Sequence, residues 1–80
     1  MLDNSIYIGQ YIGKTMCGFI NGYNYSIDIQ KNIYGYTVSG VKNLTEDTDT
    51  NACINYASEK SLRSKWLLVE DNEEDNAKGK

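Results

Sequence analysis

Histidine is absent from these 80 residues, and so is proline. Without histidine the chain has no Ser-His-Asp or Cys-His nucleophile system, no imidazole metal ligand, and not the commonest general base. Cysteine is scarce, at Cys17 and Cys53 alone. Two thiols without a histidine cannot complete a four-ligand zinc site, and neither has a cationic cluster beside it in sequence to activate it. Both are expected as small buried hydrophobes, reduced in a cytosolic setting. No run of about 18 apolar residues occurs, and no basic-then-apolar N-terminal region, so neither a membrane span nor a signal peptide is expected and the expected location is cytoplasmic. A glycine-rich strand-to-helix turn for phosphates is also missing. These absences leave neither a catalytic constellation nor a cofactor to place, and the chain reads as a binder rather than an enzyme.

Basic excess is missing as well, since the net charge is -3. The acids and bases of residues 1–69 balance, and the surplus sits in Glu70, Asp71, Glu73, Glu74 and Asp75 against Lys78 and Lys80. Direct nucleic-acid binding is disfavoured, because duplex binders neutralise phosphates with a local cationic excess. With Ala77 as its one apolar residue, the segment 71–80 is expected to be a disordered acidic tail.

Tyrosine is abundant, with seven copies. Tyr23, Tyr25, Ile27 and Ile29 alternate with Asn24, Ser26, Asp28 and Gln30, which predicts a half-buried strand. Asn21-Gly22 before it suits a tight turn, so 13–20 and 23–30 are expected as a first hairpin. Lys31-Asn32 marks a second turn into a strand over 33–42, where Gly35 and Gly40 predict a bulge, a bend, or a place where another backbone comes close. Residues 44–51 read as an exposed acidic loop, followed by a strand over 52–57. Ser58 as N-cap, Glu59 in the first turn, and Leu62 and Trp66 at i, i+4 spacing predict a helix over 58–65 before a closing strand at 66–70. The core is expected to hold Tyr25, Ile27, Ile29, Val38, Ile54, Leu62 and Leu68. Near the N-terminus, Tyr7-Ile8-Gly9-Gln10 is echoed by Tyr11-Ile12-Gly13-Lys14; residues 1–10 read as an extended lead-in to a domain over 11–70.

Five short strands, a three-stranded meander, a polar loop and a helix before the last strand form a layout over 11–69 that resembles the SH3-like small barrel. That resemblance implies a mainly β fold, either a five-stranded barrel or a strongly bent meander. The acidic, tryptophan-bearing features of peptide-binding SH3 domains are lacking. In composition the chain also resembles small phage and mobile-element proteins of low-GC Gram-positive bacteria.

Three groups stand out as candidate binding residues. Tyr34, Tyr36 and Tyr56 fall on adjacent strands, and exposed tyrosines make efficient contact surfaces; tyrosines capping the barrel ends are the plainer alternative. Lys60, Arg63 and Lys65 beside Trp66 form a basic-aromatic patch, or else a solvated helix face with Trp66 in the core. Glu46, Asp47 and Asp49 could attract a cation, but lack the central glycine and terminal glutamate of a calcium loop, so no metal site is expected. The first functional expectation is a protein-interaction module, such as a phage-encoded inhibitor or adaptor acting on a basic or nucleic-acid-binding host protein. The alternative is an oligomer that sequesters a nucleotide-like small ligand between tyrosine rings and the basic patch.

Overall fold

A computed structural model describes residues 2–69. The protein is mainly β, one antiparallel sheet of six strands with a short helix before the last. In chain order these are β1 (Ser5–Tyr11), β2 (Asn24–Asn32), β3 (Gly35–Asn43), β4 (Thr48–Asp49), β5 (Cys53–Tyr56), α1 (Glu59–Arg63) and β6 (Trp66–Val69). The spatial order is β4-β3-β2-β1-β6, and β5 joins the same side of β3 as β4. The sheet is open rather than a closed barrel. The acidic tail expected at 71–80 lies outside the described residues.

The alternating segment behaves as its period dictates. Tyr25, Ile27 and Ile29 enter the core at 1% exposure or less, while Asn24, Ser26, Asp28 and Gln30 face the other way. Pairing with β3 shifts between Ser26 and Ile27, which face Lys42 and Gly40 across the ladder, so Val41 is the bulged residue beside the glycine. Ser58 caps α1, its hydroxyl accepting the Ser61 N–H at 3.1 Å. Arg63 Nε lies 2.8 Å from Glu59 Oε2 on the same helical face, and Leu62 is fully buried. The helix is shorter than expected because its last turn tightens, with Lys65 N–H bonded to Leu62 C=O.

Two expectations fail at the N-terminal end. The expected lead-in contains β1, an interior strand paired with β2 on one side and β6 on the other. The four-residue spacing of Tyr7 and Tyr11 is an even number, so both fall on the same face of a strand, and that face is the core side. The expected strand over 13–20 is instead part of a connection. Met16 and Phe19 exchange two backbone hydrogen bonds, at 3.0 and 2.9 Å, around Cys17 (φ 55) and Gly18 (φ 92). Two successive left-handed residues make a type I′ turn, and glycine at the second takes it without steric cost. The turn delivers Phe19 into the core at 0% exposure. Asn21-Gly22 does turn the chain, with Tyr23 N–H bonded to Ile20 C=O, but it ends this connection rather than joining two strands.

Trp66 is the hub of the core. Its ring centre lies 4.9 Å from that of Phe19 and 5.1 Å from that of Tyr11, and its indole N–H donates to the Tyr56 hydroxyl at 3.1 Å. Tyr11, Tyr25, Tyr36 and Tyr56 are all buried, whereas Tyr34 is exposed, so this small core takes four phenol rings. Their polar tips explain part of this. The Tyr11 hydroxyl donates to Lys14 C=O at 2.6 Å, and the Tyr25 oxygen accepts the Ile20 N–H at 2.9 Å, so these rings are buried without stranding a polar group. Ile54 and Leu68, expected in the core, pack against it only partly buried.

Cys17 and Cys53 correct another expectation, since both are exposed. Cys17 occupies the turn tip. Cys53 is outward because β5 sends residues 54 and 56 inward, and its sulfur lies 3.8 Å from the Ser39 hydroxyl.

Candidate interaction surface

The β2–β3 hairpin closes with only Ile33 and Tyr34 between paired Asn32 and Gly35. Both are large, and both point into solvent: Ile33 is 91% and Tyr34 84% exposed. Such residues at a tip gain nothing for the fold from burial, yet the backbone beneath them is firmly braced. The Asn32 side chain accepts the Tyr34 N–H at 2.7 Å, an Asx turn. Its amide also donates to the Thr37 hydroxyl at 3.3 Å, which in turn donates to Asn55 at 2.9 Å. Behind the tip, Lys31 N–H reaches Asn4 Oδ1 at 2.8 Å. Gly35 has φ 135, and a Cβ there would overlap the Tyr56 carbonyl oxygen. The tip is therefore seated directly on β5.

Beside the tip lies a cleft of about 360 Å³ lined by Asn32, Tyr34, Tyr36, Thr37, Asn55 and Tyr56. The three candidate tyrosines thus meet around one concavity, but not as equals. Tyr36 and Tyr56 are 4% and 8% exposed, wall rather than projection. Lys31 Nζ sits 5.1 Å from the Tyr36 ring centre. Burial pushes the Tyr56 phenol up from its ordinary value, against the opposing effect of the Trp66 hydrogen bond, so the hydroxyl stays protonated near neutrality.

Lys60, Arg63 and Lys65 are not among the residues lining this cleft. Their expected aromatic companion, Trp66, is 2% exposed, which removes the stacking ring from the basic patch. Glu59 also binds the start of the described chain, its Oε1 accepting the Leu2 N–H at 3.2 Å.

The acidic loop is an ordered turn. Glu46 accepts the Tyr23 hydroxyl at 3.1 Å and its N–H bonds to Asn43 Oδ1 at 3.0 Å; Asp47, in the left-handed region, lies 2.8 Å from Lys42 Nζ. Asp49 faces Lys42 in the β3–β4 register. Among the described residues no three Cys, Asp or Glu side chains are placed to hold a metal, and no helix is long and apolar enough to cross a membrane.

The Lys42 hydrogen bond, and then its charge, hold the Asp47 carboxyl below its ordinary value. A lowered carboxyl contributes stability above the unfolded-state pKa and loses it as pH falls through the folded-state value. An NMR titration should place the Asp47 midpoint below that of an isolated aspartate, and Lys42→Ala should return it to the ordinary range.

Ile33 was hidden in the sequence because it reads as the first residue of a β-branched strand. The signal that identifies it is asparagine followed three residues later by glycine, the frame of a two-residue turn. No family model matches the chain, and neither a curated protein nor a solved structure is similar enough to match it.

Proposed function

We propose that this chain is a protein-interaction module that docks through the β2–β3 hairpin tip, acting as an inhibitor or adaptor by occupying a surface of another protein. The observation that carries this reading is the pair Ile33 and Tyr34, 91% and 84% exposed on a turn braced by Asn32 and Gly35. Large apolar side chains on a preorganised backbone lose little entropy on docking, and anchors of this kind concentrate binding energy. The cleft wall of Tyr36 and Tyr56 offers a seat for one side chain of the partner. The acidic surplus over 70–80 favours a partner of basic surface. Sequestration of a small anionic ligand has less support, because Lys60, Arg63 and Lys65 do not line the tyrosine cleft.

Replacement of Tyr34 by a photo-crosslinking phenylalanine analogue is the direct test. Crosslinking in the native host should yield one dominant polypeptide adduct. Adducts to nucleic acid or lipid alone would sink the reading. With the partner in hand, Tyr34→Ala should weaken binding by about 1–3 kcal/mol, while thermal stability changes by less than about 0.5 kcal/mol. Tyr36→Ala and Tyr56→Ala should instead lower the melting temperature, because those rings are core.

A further inference from the structure

The outer face of the sheet is divided. Over β2, β3 and β5 it carries Ser26, Asp28, Thr37, Ser39 and Asn55, whereas over β1 and β6 it carries Ile6, Ile8, Leu67 and Val69. These four aliphatic side chains are 55%, 50%, 57% and 65% exposed. They are contiguous, since Ile8 lies opposite Val69 and Gln10 opposite Leu67. The patch runs to the edge of the sheet, because β6 is the last strand in the order and, among the described residues, pairs with β1 alone.

The phase of the β1–β6 ladder decides which backbone groups are open. Ile12 N–H bonds to Lys65 C=O at 2.9 Å, and antiparallel pairing alternates, so Leu67 and Val69, like the Lys65 carbonyl, turn their peptide groups toward β1. Trp66 and Leu68 turn theirs to the open edge. An unpaired edge with apolar side chains on one face is a template for another strand.

We propose that the occupant is a second copy of this chain, joined β6 to β6 about a two-fold axis through Leu67. In that register Trp66 of one copy pairs with Leu68 of the other, so every outward N–H and C=O of both residues finds a partner. Leu67 meets Leu67 at the axis, and the two aliphatic patches become one band across the joined sheet. Val69 falls opposite Lys65 of the second copy. The sequence before β6 is basic, with Arg63 and Lys65, and the sequence after it is acidic, with Glu70 and Asp71, so an antiparallel two-fold sets the basic flank of each copy against the acidic flank of the other. This charge match selects a second copy over an unrelated strand. The interface is small by the standard of stable dimers, so association is concentration-dependent and weakens with salt.

Sedimentation velocity on the full chain tests this with Leu67→Glu and Leu67→Lys, substitutions at an exposed position. The wild type should shift from monomer toward dimer as concentration rises, and less so at high salt. Each variant alone should associate at least tenfold more weakly, because like charges meet on the axis, and an equal mixture of the two should recover the dimer. In the wild type, amide exchange of Trp66 and Leu68 should slow with rising concentration while that of Leu67 does not. A wild type that stays monomeric, a variant that dimerises alone, or a mixture that stays monomeric would overturn the proposal. Ile33→Ser with Tyr34→Ser should leave dimerisation intact; loss there would move the interface to the hairpin tip and overturn the β6 assignment.

Discussion

Trp66→Ala is expected to unfold the domain. Removing a fully enclosed indole costs about 3–5 kcal/mol, and a domain of this size holds only a few kcal/mol of margin. Three effects coincide at this position. The rings of Tyr11 and Phe19 lose their common neighbour, the Tyr56 hydroxyl loses its donor, and β6 loses the side chain that fixes it over the core. Trp66→Phe separates them, because it keeps most of the ring volume while leaving the Tyr56 hydroxyl without that donor; its cost should be about 1–3 kcal/mol. Urea unfolding followed by far-ultraviolet circular dichroism measures both. A Trp66→Ala protein as stable as wild type would show that the aromatic cluster is not the core's centre.

The second large effect is expected from Gly35→Ala. Its new Cβ would overlap the Tyr56 carbonyl oxygen and press on Ala57, at a φ of 135 that side chains rarely adopt. Backbone strain of roughly 1–3 kcal/mol adds to an overlap that only separation of β3 from β5 relieves, so a loss of about 3 kcal/mol or more is expected. Gly22→Ala is the matched control. It also has positive φ, 89, but nothing lies within 4 Å of the added Cβ, so strain alone should cost about 1–2 kcal/mol. Similar melting temperatures for the two variants would mean that Gly35 does not seat the hairpin on β5. Because Gly35 also fixes the exit from the Ile33-Tyr34 turn, Gly35→Ala should weaken partner binding even where the protein remains folded.

What could be read directly from the residues was local in origin. The period of two through Ile27 and Ile29, the cap at Ser58 and the bulge beside Gly40 each follow from neighbours in sequence, and all are present; the Leu62–Trp66 spacing marked two buried residues, but Trp66 opens β6 instead of extending α1. What escaped depends on partners far along the chain. Ile6-Tyr7-Ile8 is apolar on both faces, which gives no alternation to read, and its place between β2 and β6 is set by residues some distance away. Cys17-Gly18 was hidden inside a plausible strand because cysteine is no usual turn residue. The tyrosines show the same limit: alternation says which share a face, but only the filled core shows that Tyr36 and Tyr56 are inside while Tyr34 is out.

The interior place of β1 has a consequence for how the protein is made. Ser5–Tyr11 is synthesised before the other elements described, and one of its two neighbouring strands, Trp66–Val69, is the last of them. Until that strand emerges, the β2–β3 hairpin can form from nearby residues, but β1 carries an unsatisfied edge and the aromatic cluster lacks its indole. Contacts between such distant segments close slowly, because the intervening chain must be ordered first. A nascent chain halted before Trp66 should therefore hold an incomplete sheet and depend on chaperones to keep the open edge of β1 from its neighbours.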